Sequence, residues 1–362
     1  MKISRIAQLR LQRLRIAGMK FESPEKVVSW FGAMQAQDYA AALWAIGLRT
    51  HGATLESVEQ AIAERRIVRT WPMRGTLHFV AAEDVRWMSA LMTPRVIAAS
   101  KGRLLREFEL DDAVFAHSRK VLVTALRDRQ RLTRGEVYET LESAGIATGR
   151  QRGLHITGQL AQEGLLCLGP RADKQPTFVL LDEWIPSGRP MEREQALAEL
   201  ARRYFHSHGP ATLQDFAWWS GLTVKDVQLG IELVADDLAQ EIIGGRLYLH
   251  SGEEDASKNV AVGDPHLLPS FDEYLVAYKD RSEAVEARFS SRVVGINGLF
   301  NASIVIEGCI VGTWKRSIDQ NGIGLELSPF RVLLKKELKA LGNIARRYGE
   351  FMGLPVQVKS LT

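Results

Sequence analysis

Residues 35–37 read Gln-Ala-Gln, within "GAMQAQDYAA", and set two primary carboxamides at a spacing of two. On a helix, positions i and i+2 point to nearly opposite sides; in an extended segment they share a face. Gln35 and Gln37 can act together only if the helix before them has ended. A carboxamide has no useful proton affinity at neutral pH, so the pair is no general base. It can accept a hydrogen bond from a water and donate another, which orients that water. A second candidate is the acid pair Asp272-Glu273 in "PSFDEY". On a strand, adjacent side chains face opposite ways, so one is expected to cap a turn and the other to be solvated.

Residues for other chemistries are missing. The chain has no P-loop, GxSxG, HExxH or CxxC, and "GINGLF" lacks the following helix a dinucleotide site needs. The eight histidines show no metal spacing on one helix face, and His206 and His208 read as surface residues at a helix end. Cys167 and Cys309 lie far apart, which argues against a disulfide framework or a zinc site and fits a reducing cytoplasm. No metal and no cofactor are expected.

The elements that would position these residues follow from caps and periodicity. A first helix is predicted over about Ser4–Ile16. Ser23-Pro24 starts another, with Val27, Trp30, Phe31 and Met34 on its apolar face and its end near Met34. Tyr39–Leu48 reads as a short buried helix or strand, Thr54 caps a helix to about Arg66, and "IVRTWPMRGTLHFVAAED" reads as a hairpin turning at Gly75.

From Asp111 one pattern occurs twice. A helix over about 112–129 leads to the capping box Thr133–Glu136, a helix ending at Gly145, a third helix to about Glu163 and a hairpin. A helix over about 193–206 leads to Thr212–Asp215, a helix to Trp219, a break at Gly221, a helix opened by Thr223 and a hairpin turning at Gly244-Gly245. Helix, helix, helix, hairpin is the winged helix-turn-helix plan. Residues 4–80 form a looser third copy. After about Val260, "LLPSFDEYLVAYKDRS", "RVVGINGLFNASIVIEGCIVGTWKRSI" and "GIGLELSPFRVL" read as strands with turns at Gly298, Gly308 and Gly322, before a helix over about 335–352. The expected fold is α+β and mainly helical. Its expected parts are 1–110 with the Gln-Ala-Gln motif, winged helices at 111–188 and 189–258, and a β-rich subdomain at 259–362.

The 362 residues are 46% hydrophobic and 25% charged, the composition of a globular protein with a sizeable core. No run approaches the length of a membrane span, and the basic N-terminus lacks the apolar region of a secretory signal, although an Arg-rich transit peptide has this composition. The net charge of +4 is unevenly spread. Lys2, Arg5, Arg10, Arg13, Arg15 and Lys20 have no acid among them, nor do Arg86, Arg95, Lys101, Arg103 and Arg106; acids gather at 232–241 and 253–255. Such segregation suits a polyanion, or solvated helix faces.

Five blocks, "MQAQD", "RTWPMRGTLHFVAAEDVRWM", "GPATLQDFAWWSGL", "LLPSFDEYLVAYKDRS" and "VVGTWKRS", occur in that order over residues 10–350. Together they resemble the YcaQ/AlkZ family of DNA glycosylases, winged-helix proteins that excise alkylated bases. The resemblance implies tandem winged helices around a concave DNA surface and a catalytic Gln–apolar–Gln motif, here Gln35 and Gln37 with Ala36 between. Asp38 stands one place beyond the aspartate of the family's other branch. Two amides suit a cationic N7- or N3-alkylpurine, which departs without protonation while oriented dipoles stabilise the oxocarbenium-like sugar. Neutral lesions such as uracil should resist.

The implied partner is double-stranded DNA containing alkylated purines, with neither a membrane nor an obligate protein partner, in the cytoplasm and at the nucleoid in a bacterium. Candidate DNA-binding residues are Arg69, Trp71, Arg74, Arg150, Arg152, Lys279, Arg281, Lys315 and Arg316; Trp71 would stack on a base or pack in a core. Crosslinks between strands would need an open cleft. The alternatives are a non-enzymatic winged-helix DNA-binding regulator or scaffold, and a protein that sequesters the alkylating agent itself.

Overall fold

The computed structural model describes residues 4–128, 130–252 and 263–360. Lys2, Arg129, the acidic run 253–255 and the expected boundary at 258 lie outside the described residues.

The chain opens with α1 (Arg5–Arg13) and α2 (Pro24–Phe31), the latter with Pro24 in its first turn. The extended β1 (Ala33–Gln35) and α3 (Tyr39–Gly47) follow, so the ambiguous 39–48 stretch is a helix. Next come α4 (Leu55–Ala63), β2 (Ile67–Met73), β3 (Thr76–Ala81) and α5 (Val85–Phe108). The first repeat is α6 (Asp112–Leu126), β4 (Leu132–Thr133), α7 (Arg134–Ser143), α8 (Arg152–Gln162), β5 (Leu166–Ala172) and β6 (Gln175–Leu180). A turn of helix, α9 (Leu181–Trp184), precedes the second repeat: α10 (Arg193–His208), α11 (Leu213–Ser220), α12 (Val224–Glu232), β7 (Leu238–Ile243) and β8 (Arg246–Ser251). Both capping boxes form, Thr133 with Glu136 and Thr212 with Asp215.

The remainder holds β9 (His266–Leu268), α13 (Glu273–Val276), α14 (Ser290–Val293), β10 (Ser303–Ile306), β11 (Cys309–Asp319), β12 (Gly322–Pro329), α15 (Lys335–Met352) and β13 (Val356–Ser360). Here the strand reading is corrected. Residues 272–298 form short helical pieces, because Asp272 accepts from the Tyr274 N–H at 3.0 Å and starts a helical turn where a strand was expected.

The chain forms two compact units, residues 1–58 with 198–362, and residues 59–197. This division cuts the expected first part, 1–110, at residue 58. In the unit of residues 59–197, strands pair in the order β3-β2-β5-β6-β4. An aliphatic core that includes Leu122, Leu141, Ile156, Leu160 and Phe178 lies against α5 to α8 and the hairpin. In the other unit a sheet runs β13-β12-β11-β10-β9, antiparallel except for the parallel β12–β13 pair, and β7–β8 is a separate two-stranded ribbon. Its core is aromatic around α10 and α11, where Tyr204 stacks on Phe216 at 4.9 Å and meets Trp219 at 5.1 Å. Among the described residues no helix is long and apolar enough to cross a membrane.

Among the described residues, the fold takes up much of the basic N-terminal cluster. Arg10 and Arg13 are buried, Arg10 beside Asp215 at 3.7 Å and Arg13 donating to the Ser251 carbonyl at 3.0 Å. Arg5 pairs with Glu241, and Lys20 donates to the Arg15 and Ile16 carbonyls at 2.6 Å. These cations fasten α1 to the second repeat and close its own C-terminal end.

Candidate active site

The helix before the two glutamines ends at Phe31, three residues earlier than expected. Gly32 has φ +77° and ψ −57°, a conformation that side chains resist, and it turns the chain out of the helix. Residues 33–35 are extended and buried, with Gln35 9% exposed, while Gln37 is exposed. The structure joins the pair directly: the Gln37 N–H donates to Gln35 Oε1 at 2.9 Å. Asp38 caps α3, accepting from the Ala41 N–H at 3.1 Å, and also accepts from Ser270 Oγ at 3.1 Å.

Beneath the motif lies the acid pair that sequence reasoning placed at a turn and in solvent. The turn half stands: Asp272 caps α13. It also binds Arg49 in a two-pronged ion pair, both contacts 2.8 Å, with Arg49 fully buried and donating further to the Leu14 and Ala45 carbonyls. The solvated half is corrected. Glu273 is buried; its Oε1 accepts the Gln35 N–H at 3.0 Å, and its Oε2 accepts the Trp219 Nε1–H at 3.1 Å and lies 3.4 Å from His208 Nε2. His208 is buried rather than a surface residue. Burial pushes its pKa down, against the pull of Glu273, so the imidazole is neutral near neutral pH. The only sequence signal for Glu273 is its place at the head of the apolar run Tyr274–Tyr278, where a carboxylate must find donors inside the fold.

Lys315 and Arg316 share a cleft with Asp38, the residue after the motif. Ser270, Asn301 and Tyr348 also line this cleft of about 290 Å³; Lys315 is exposed and Arg316 donates to the Tyr348 hydroxyl. Lys279 is exposed at a cavity of about 840 Å³ bordered by Arg10, Asp215 and Tyr248, and its N–H donates to Asp215 at 2.9 Å. Arg281 donates to the Leu275 carbonyl at 2.8 Å, with its guanidinium between Trp218 at 5.4 Å and Phe300 at 4.9 Å. Burial lowers the Arg281 pKa.

The other candidates belong to the 59–197 unit. Arg69 on β2 stands opposite Phe79 and Leu168, and Arg74 sits at the hairpin turn, 3.2 Å from His78. Trp71 packs half-buried against the aliphatic core. Arg150 is exposed just before α8. Arg152 is occupied by the fold: it donates to the carbonyls of Ala147 at 2.9 Å, Glu109 at 3.2 Å and Phe108, and so ties the start of α8 to the end of α5.

The family model "DNA glycosylase AlkZ-like" matches residues 28–351. An interstrand DNA cross-link repair glycosylase of Streptomyces sahachiroi is 26% identical over 368 residues, covering 96% of this chain and 97% of that protein. The solved structure of the Streptomyces sahachiroi DNA glycosylase AlkZ is alike in fold, with a TM-score of 0.81 at 24% identity over 98% of each chain. With the family match running through nearly the whole fold, the chain belongs to the AlkZ-like family of DNA glycosylases, enzymes whose substrate is DNA.

Proposed function

We propose that the protein hydrolyses the N-glycosidic bond of purines alkylated at N7 or N3 in double-stranded DNA, and unhooks interstrand crosslinks built from such adducts. Gln35 and Gln37 orient the attacking water. Its oxygen bonds to C1′, the C1′–N bond electrons neutralise the cationic base, and the surplus proton leaves to solvent. The base departs neutral, so no general acid is required. The observation that carries this reading is the contact of the Gln37 main-chain N–H with Gln35 Oε1 just past β1, with Gln35 anchored through its own N–H on buried Glu273. The cross-link repair named for the Streptomyces relative supports crosslinks as substrates. The two helix–helix–helix–hairpin repeats act as winged helices on the duplex, and Arg69, Arg74, Arg150, Lys279, Lys315 and Arg316 supply phosphate contacts. In a bacterium such an enzyme works at the nucleoid.

The test is incubation with methylated duplex DNA in a chelator and chromatography of the released base. Free 7-methylguanine is expected, none from Gln35→Ala/Gln37→Ala, with duplex binding retained. Full activity in that double variant would remove the proposal. A duplex crosslinked through two guanine N7 atoms should come apart on a denaturing gel, and a uracil-containing duplex should not react.

A further inference from the structure

The segment "GINGLF", which sequence reasoning rejected as a nucleotide site, forms a small protruding hairpin. Val294 bridges Phe300, the Gly295 N–H donates to the Leu299 carbonyl at 2.8 Å, and the Asn301 N–H donates to the Val293 carbonyl at 2.9 Å. Gly298 at φ +72° makes the turn. Its aliphatic side chains point outward, Ile296 86% and Leu299 58% exposed.

The base of the hairpin is firmly built. Phe289 stacks on Phe330 at 4.6 Å, with the guanidinium of Arg288 over Phe289 at 4.6 Å and that of Arg292 over Phe330 at 4.2 Å. Phe300 meets Phe271 at 5.9 Å and carries Arg281 over its ring. The hairpin is also continuous with the glutamine platform. Phe271 adjoins Asp272 and Glu273, and Asn301, at the hairpin's end, lines the cleft that holds Asp38, Lys315 and Arg316.

We propose that Ile296 and Leu299 form a wedge that enters the base stack beside the damaged nucleotide, with Arg292 and Lys315 on the flanking phosphates. Lone exposed aliphatic residues are ordinary on protein surfaces. Two on one small hairpin, with Arg292 at its start and at its end a cleft that Lys315 and Asp38, the residue after the motif, also line, fit a duplex: aliphatic wedges unstack base steps while cations hold the backbone. Glu286 pairs with Arg288 at 2.9 Å, so Arg292 rather than Arg288 is assigned to phosphate. A wedge suits a crosslinked lesion in particular, since it opens the stack without drawing a tethered base into a closed pocket. The inference deepens the proposed function and rests on it for the position of the lesion.

The test uses a duplex with 2-aminopurine next to a stable tetrahydrofuran abasic site. Wild-type protein should raise 2-aminopurine fluorescence several-fold. Ile296→Ser/Leu299→Ser should lose most of that rise and release 7-methylguanine about tenfold more slowly, with an unchanged melting temperature. Arg292→Ala should lower the slope of log affinity against log salt by about 0.9, the value for one phosphate contact. Full fluorescence in the double variant, or no rise with a wild-type protein that does release base, overturns the wedge and leaves the proposed function standing. A fluorescence rise without base release supports the wedge and removes the proposed function instead. An unchanged salt slope removes the phosphate assignment.

Discussion

The same order of elements, three helices and a hairpin, is built in the first repeat around aliphatic packing and in the second around aromatic packing threaded by buried polar bonds. In α6–α8 and β5–β6 the interior is Leu, Ile, Val and Phe, and the capping carboxylate Glu136 is exposed. In α10–α12 the corresponding cap, Asp215, is buried beside Arg10 and also accepts N–H groups from Lys279 and Asp280. The first hairpin belongs to a larger sheet; the second stands apart and is fastened to α1 by Arg5 and Arg13. Aliphatic packing fixes volume, whereas hydrogen bonds fix angle and distance. The glutamine motif hangs on the second kind of interior, through Glu273 with Trp219 and His208. If the two amides act on one water, as proposed, they gain from such support.

The largest test of this contrast is at the two caps. Asp215→Ala leaves Arg10 buried without its partner and is expected to cost about 3–5 kcal/mol, against about 1 kcal/mol for Glu136→Ala, measured by urea denaturation. Equal losses would erase the distinction. Glu273→Gln keeps the volume but removes the charge that Trp219 and His208 face. A loss in kcat of about tenfold to a hundredfold, with little change in KM for DNA, is expected if Glu273 aims Gln35. A change confined to melting temperature would make it a purely structural group.

Acid supplies a third measurement. His208 and His266 both have lowered folded pKa values, His266 at about 3, with burial the leading cause in each and Lys20 and Arg347 adding to it at His266. The unfolded chain therefore binds more protons below the ordinary histidine value of about 6.5. Stability should hold above that pH and fall as pH drops toward 3, by about 1.4 kcal/mol per unit for each imidazole still resisting protonation. In the first repeat His155 is shifted the same way but only half-buried, so His155→Gln should change this acid slope less than His208→Gln. The smallest effect is expected at Ile242 on the second hairpin, 75% exposed, where Ile242→Thr should stay within about 0.5 kcal/mol of wild type.

Local features were legible. Thr133 and Thr212 announce helix starts because the cap bond spans three residues, and glycines mark the hairpin turns. The Gln-Ala-Gln spacing pointed to an extended segment; the chain is extended only through Gln35, with Gln37 in the bend beyond it, and the weight of Gly32 as the stop was missed. The long helix α5 was not foreseen. Pro94 sits inside it, and its buried residues crowd into the first half, from Val85 to Thr93, so no stripe runs its length. The support under the motif was beyond local reading, since Gln35 and Glu273 are 238 residues apart and Arg49 and Asp272 223. Arg152 looked like a ligand for DNA, and Arg10 and Arg13 like part of a polyanion-binding or solvated face, because composition does not record that a guanidinium can be satisfied inside a fold.

The contact between Gln37 and Gln35 also fixes which way round one amide stands. A main-chain N–H can only give a proton, so the atom it meets must be the Gln35 carbonyl oxygen, and the NH₂ end is turned the other way. Two residues written with the same letter thus stand differently: Gln35 is buried with its oxygen engaged by the main chain, whereas Gln37 is exposed and contributes its backbone to that contact.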